Sequence, residues 1–142
     1  KHITTDKVLD LYSGVGTIGL SVARDKDLTL VEVDKSAFKE LQNNTSGLNN
    51  VRGILDKSEN VTNYLDSNQI VILDPPRAGC DKKLIDKILE VNPKKVIYLS
   101  CNPATQARDV KMLLEKYQIE EIKTFNFFPH TPHIENLVVL SL

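Results

Sequence analysis

Short apolar runs alternate with amphipathic stretches along this chain, joined by connections of only a few residues, and that rhythm limits the fold more than any other feature. It specifies an open α/β sheet, because parallel strand neighbours need a crossover and each crossover helix must bury one face on the sheet. Residues 7–12 read as a first strand, 17–24 as a helix, 28–33 as a second strand and 35–45 as a helix with Phe38 and Leu41 inward. Asp34 can cap that helix and Gly47 can stop it. A third strand falls at 51–55, followed by a short helix near 58–65. The run 70–73 is unbroken and apolar, as a central strand covered on both faces requires. Asp81 can cap the next helix, whose Leu84, Ile85, Ile88 and Leu89 share one side. The fifth strand is 96–99 and the last helix 103–117, with Pro103 in the first turn, where its missing N–H costs nothing. The rhythm then changes, since 121–128 and 134–142 read as two strands with no helix between them.

With 142 residues, the chain is the size of one domain. It contains no apolar stretch long enough to span a membrane and no secretory signal, which points to the cytoplasm. The formal net charge is −1. A domain that grips nucleic acid by itself is usually basic, so autonomous RNA binding is not expected. Cys80 and Cys101 make neither a CxxC pair nor a zinc spacing, and in a reducing compartment both stay thiols.

The segment 10–19 reads Asp-Leu-Tyr-Ser-Gly-Val-Gly-Thr-Ile-Gly. Its glycines satisfy G-x-G-x-x-G directly after a strand and at the opening of a helix. Glycine permits the tight turn and lets a ligand approach main-chain N–H groups. Glu32, at the end of the second strand, can accept hydrogen bonds from the ribose hydroxyls of an adenosine cofactor. Gly14, Gly16 and Thr17 complete the candidate cofactor contacts of this turn. The pattern by itself suits NAD or S-adenosylmethionine. Asp10 favours the second, because a carboxylate there can meet a cofactor ammonium but would repel a pyrophosphate.

Asp74-Pro75-Pro76-Arg77 follows the buried fourth strand. Two prolines fix φ and remove two donors, which makes a stiff loop at the carboxyl end of a central strand, where open α/β sheets bind ligands. Asp74 and Arg77 there can position a planar base or a phosphate. Leu99-Ser100-Cys101-Asn102-Pro103 places a cysteine at a strand–helix joint, with Asn102 as cap and Pro103 at the first helical position. Unpaired helix N–H groups beside Cys101 favour the thiolate form. Cys80 reads as a small buried hydrophobe. A thiolate is useful to a methyltransferase when the target is carbon 5 of uracil, because addition at carbon 6 makes carbon 5 nucleophilic. A base must then remove the carbon 5 proton. The last loop, Phe128-Pro129-His130-Thr131-Pro132-His133-Ile134-Glu135, offers Glu135. Its two histidines lack a third convergent ligand, so no metal is expected; His130 is read as a contact to the loop or to RNA.

Five β/α units ending in a strand pair match the class I methyltransferase fold: a Rossmann-like, mostly parallel seven-stranded sheet with helices on both faces and an antiparallel C-terminal pair. The segments 10–20, 74–81, 98–109 and 128–135 together resemble the RNA 5-methyluridine (uracil-C5) methyltransferase family, and the ribosomal RNA members more than the transfer RNA member. The resemblance implies Cys101 as nucleophile and Glu135 as base. Tyr12, Glu32 and Asp74 would contact S-adenosylmethionine, with Asp74 also near the target base, while Arg77, Asn102 and His130 would contact substrate. It further implies that residues 1–142 are the catalytic domain of a longer, monomeric, cytoplasmic enzyme whose RNA-binding parts lie elsewhere. One departure from the family stands out: where it has an acid facing adenine, this chain has Lys57 next to Asp56. The Asp-Pro-Pro loop ends in Arg77 where amine-directed methyltransferases carry an aromatic ring, which argues for a target other than an exocyclic amine. Methylation of an exocyclic amine, NAD-dependent oxidation and a non-catalytic nucleotide-binding module remain the competing readings.

Overall fold

The computed structural model describes residues 1–127 and 134–142. Its elements are β1 (Lys7–Leu11), α1 (Thr17–Ala23), β2 (Asp27–Glu32), α2 (Lys35–Thr45), β3 (Val51–Leu55), β4 (Gln69–Leu73), α3 (Lys82–Val91), β5 (Lys95–Ser100), α4 (Pro103–Leu113), β6 (Gln118–Phe125) and β7 (Glu135–Ser141). The strands form one sheet in the order β3-β2-β1-β4-β5-β7-β6. Pairings among β1 to β5 are parallel, and β7 runs antiparallel to both β5 and β6.

Each of three helix starts follows from a side chain that satisfies an orphan N–H. Asp34 accepts from Ala37 N at 2.8 Å, Asp81 from Lys83 N at 2.8 Å and Asn102 from Ala104 N at 3.2 Å. Helix α1 has no side-chain cap and begins instead from Gly16 in the left-handed conformation, at φ 87°. Core residues lie on both faces of the sheet. One cluster joins β1, β4 and β5 to α3 and α4, and a second joins β1 and β2 to α2. Every residue of β4 is buried, which accounts for its unbroken apolar run.

Three expectations need correction. The short helix near 58–65 is two 3-10 turns, Ser58–Asn60 and Thr62–Tyr64, separated at buried Val61. The last helix stops at Leu113 rather than at residue 117. Beyond it the chain tightens into turns, Lys116 N and Tyr117 N both reaching Leu113 O, and the Tyr117 hydroxyl donates to Pro93 O at 2.7 Å. Strand β6 opens at Gln118, before the expected residue 121, with a register irregularity between Ile119 and Glu121. It also ends early, at Phe125 rather than at the expected residue 128, which itself lies outside the described residues. Among those described, no helix is long and apolar enough to cross a membrane.

Candidate functional site

The strand order reverses between β1 and β4, and a crevice of about 870 Å³ opens outside their carboxyl ends. Tyr12, Glu32 and Asp74 line it, together with Lys57, Ser58 and Cys80. Tyr12 holds φ 61°, an uncommon conformation for a residue with a side chain, at the point where β1 gives way to the glycine-rich turn. Glu32 is held by three backbone donors: Gly14 N at 2.7 Å on one oxygen, and Val33 N at 2.8 Å and Asp34 N at 2.6 Å on the other. A carboxylate offers about four lone-pair sites, so with these bonds kept one remains for a ribose hydroxyl.

Asp10, Gly14, Gly16 and Thr17 stand outside the crevice lining. Asp10 lies under α1, accepting from Gly19 N at 2.9 Å, and its other oxygen has no hydrogen-bond partner. Burial raises its carboxyl to a pKa of about 7, against the Gly19 N–H, which lowers it, and with a further push from Asp74. Such an orphaned buried oxygen, close to a crevice edged by Glu32 and Tyr12, fits a cofactor that brings a cation. Lys57 lines the crevice at the position where the family pattern has an acid. The neighbouring Asp56 is turned to its own chain, accepting from Lys57 N and Asn60 Nδ2.

Asp74 sits between the crevice and the next strands. Burial, and then the charge of Glu135, raise its pKa to about 6. Cys101 follows β5 and is partly exposed. Asn102 links the two segments, since its amide nitrogen donates to Arg77 O at 2.9 Å while its oxygen caps α4. The Arg77 side chain is exposed. Glu135 opens β7, where its neighbour Asn136 pairs with Ser100 of β5. Asp74, Cys101 and Glu135 therefore come to one edge of the sheet. His130 and His133 lie outside the described residues. Cys80 is buried, as expected, and burial pushes its thiol up to about 12.

Two site residues escape a reading of the sequence. Gln106 is buried and donates to Tyr98 O and Asn136 O, while Asn136 Nδ2 donates back to its oxygen at 2.7 Å. Buried Asp109 accepts from Cys80 N and from the Tyr98 hydroxyl. The available signal is spacing: Gln106 lies four residues before Val110 and Asp109 four before Leu113, so two polar side chains share the inward face of α4.

Parallel strands ending in an antiparallel pair, in this order, with a glycine-rich turn after β1, define a class I methyltransferase fold. The chain belongs to the tRNA (uracil-5-)-methyltransferase family, whose model matches residues 45–142. It is 39% identical over 144 residues to a Bacillus anthracis protein described as an uncharacterized RNA methyltransferase, a match covering 96% of this chain and 31% of the relative. A Staphylococcus aureus protein of the same description is 42% identical over 142 residues, with 95% and 31% covered. Among solved structures, the chain resembles the Pyrococcus abyssi tRNA (uracil-54, C5)-methyltransferase in complex with S-adenosyl-L-homocysteine. That match has a TM-score of 0.87 and 37% identity, covering 97% of this chain and 35% of the other. The chain spans about a third of the length of the curated relatives it matches.

Proposed function

We propose that this chain is the catalytic domain of a longer enzyme that methylates carbon 5 of a uridine in RNA, with S-adenosylmethionine as methyl donor. What carries the reading is the neighbour order β4-β5-β7. Asp74 follows β4, Cys101 follows β5, and Glu135 begins the antiparallel β7, so three reactive groups share one edge at strand spacings of roughly 5 Å.

In this reading the Cys101 thiolate adds to carbon 6 of the uracil ring, and the electron pair of the 5,6 double bond passes to carbon 5. S-adenosylmethionine supplies an electrophilic methyl group to that carbon. Glu135 then takes the carbon 5 proton, and the electron pair left behind expels the Cys101 thiolate and restores the double bond. Glu32 and Tyr12 hold the adenosine portion, and Asp74 spans the gap between cofactor and base. Arg77 and His130 contact the RNA, as does the one N–H of Asn102 not given to the loop. Domains outside these residues supply most of the RNA affinity. The enzyme acts as a monomer in the cytoplasm, where its thiols stay reduced.

The substrate we favour is 23S ribosomal RNA, on the Phe-Pro-His-Thr-Pro-His segment. Transfer RNA is the second reading, favoured by the likeness to the Pyrococcus abyssi protein. The test uses the full-length protein with 5-fluorouridine-substituted ribosomal and transfer RNAs. Fluorine does not leave as a proton does, so a covalent protein–RNA adduct should accumulate on the true substrate and vanish in Cys101→Ala. Methyl transfer to uridine without any adduct would overturn the mechanism.

A further inference from the structure

Helix α4 turns one face to the loop that carries Asp74. In the first turn, the Asn102 amide and the Thr105 hydroxyl both donate to Arg77 O, at 2.9 and 3.0 Å. One turn later, Arg108 donates to Ala78 O at 3.0 Å and Asp109 Oδ2 accepts from Cys80 N at 2.8 Å. The same Asp109 oxygen accepts from the Tyr98 hydroxyl of β5 at 2.6 Å, and Oδ1 takes the Arg108 guanidinium at 2.9 and 2.7 Å. On the crevice side, the Cys80 thiol meets the hydroxyls of Tyr98 and Tyr12.

A carboxylate that is 1% exposed is an expensive way to fill a core. An apolar residue of similar volume would spare that cost but leave Cys80 N, the Tyr98 hydroxyl and the Arg108 guanidinium without this acceptor. Asp109 does what such a residue would not: it joins a loop amide, a strand hydroxyl and a helix at one point. Gly79 fits the loop to it. A Cβ at Gly79 would lie 2.6 Å from both Asp109 Oδ2 and Arg108 Nη2, and its φ of 83° already disfavours a side chain.

We propose that Asp109 is a positioning residue for methyl transfer, fixing the Asp74–Cys80 loop to the helix that begins beside Cys101 so that crevice and thiol keep one separation. The proposal rests on the reading of Cys101 as nucleophile. Asp109 is among the residues lining the crevice, and its assigned part is to hold the loop rather than to act on a reacting atom. Its loss lets the loop drift from α4, and a displacement of about 1 Å in such a site can cost on the order of 100-fold in rate. The crevice walls at Glu32 and Lys57 stay where they are.

The test takes the full-length enzyme and its Asp109→Leu, Asp109→Asn and Gly79→Ala variants. Steady-state transfer to a uridine-containing RNA is measured per active site, the sites being counted by calorimetry with S-adenosylhomocysteine. Asp109→Leu should lower kcat per site by roughly 10- to 100-fold with KM for S-adenosylmethionine little changed. Asp109→Asn keeps an oxygen for Cys80 N and Tyr98 and should recover most of the rate. Gly79→Ala, which pushes the loop off an intact Asp109, should lower kcat as well, and the double variant should be no slower than the worse single one. Wild-type kcat per site in Asp109→Leu, or a loss confined to KM or to the number of sites, overturns the proposal. If Asp109→Leu does not fold, Gly79→Ala decides it, and an unchanged kcat per site there overturns the proposal too. Absence of transfer by the unsubstituted enzyme would sink the functional reading and this proposal with it, whereas a fully active Asp109→Leu sinks the proposal alone.

Discussion

Asp10 reaches the folded state with one oxygen on Gly19 N and the other unpartnered, fully removed from water. Burial is the main reason its pKa rises from 3.8 to about 7. Folded Asp10 thus holds its proton more tightly than unfolded Asp10. The stabilisation linked to that proton is complete below about pH 4 and is lost as pH rises through about 7. One pKa unit corresponds to about 1.4 kcal/mol, so the protein should lose stability on the order of a few kcal/mol between pH 4 and pH 8. Asp74, raised to about 6, adds to the slope in the lower part of that range. Urea unfolding at pH 6 and pH 8 spans the main part of the Asp10 titration, and Asp10→Asn should remove most of the difference. A slope as steep in the variant as in the parent would mean that another group titrates. In the sequence, Asp10 stands before a glycine-rich turn, which suggests direct contact with a cofactor. Packing gives the third glycine of that turn a different role. A Cβ at Gly19 would lie 2.6 Å from the Asp10 carboxylate, so the glycine makes room for the acid.

Helix α4 connects more of the site than any other element. It begins beside Cys101, holds the Asp74 loop through Asn102, Thr105, Arg108 and Asp109, and reaches β7 through Gln106. Replacing Gln106 by leucine keeps the volume but strands Tyr98 O, Asn136 O and the Asn136 amide. Each buried polar group left unpaired costs roughly 1–3 kcal/mol, partly offset by the added apolar surface, so a net loss of about 3 kcal/mol is expected. Denaturant unfolding should show the midpoint fall with an unchanged m-value. A change below about 0.5 kcal/mol would mean that water replaces these bonds freely. The starts of α2, α3 and α4 were legible from Asp34, Asp81 and Asn102, because capping is a local bond between a side chain and the next turn. The end of α4 was not. Tyr117 sits at helical spacing from Leu113 and Val110, yet its hydroxyl is claimed by Pro93 O, a contact set by tertiary packing. Asp109 and Gln106 went unread for the same reason, since their partners lie in other elements.

At the scale of the whole molecule, strand order does the assembling. Asp74, Cys101 and Glu135 are far apart in sequence and stand side by side only because β7 runs antiparallel to β5. The alternation of elements announced an α/β sheet and its terminal strand pair, but pairing partners are long-range choices that a local pattern constrains only through fold precedent. Charge is global as well. Eighteen basic side chains face nineteen acidic ones, and the crevice mixes Lys57, Lys82 and Arg108 with Glu59, Asp74 and Asp81. No strong positive field forms there to gather phosphates. Single-stranded RNA releases counterions with a slope of about −0.7 per phosphate neutralised, so a chain that grips one or two phosphates should show a slope no steeper than about −1.5. These 142 residues should therefore bind a short uridine-containing RNA more weakly than about 10⁻⁴ M at physiological salt, beyond the weak end of non-specific contact. Anisotropy titrations of the 142-residue chain and of the full-length protein at two salt concentrations measure both quantities. A micromolar Kd for the chain alone, with a slope steeper than about −3, would place the RNA grip within this domain and require a basic surface that its near-neutral composition does not announce.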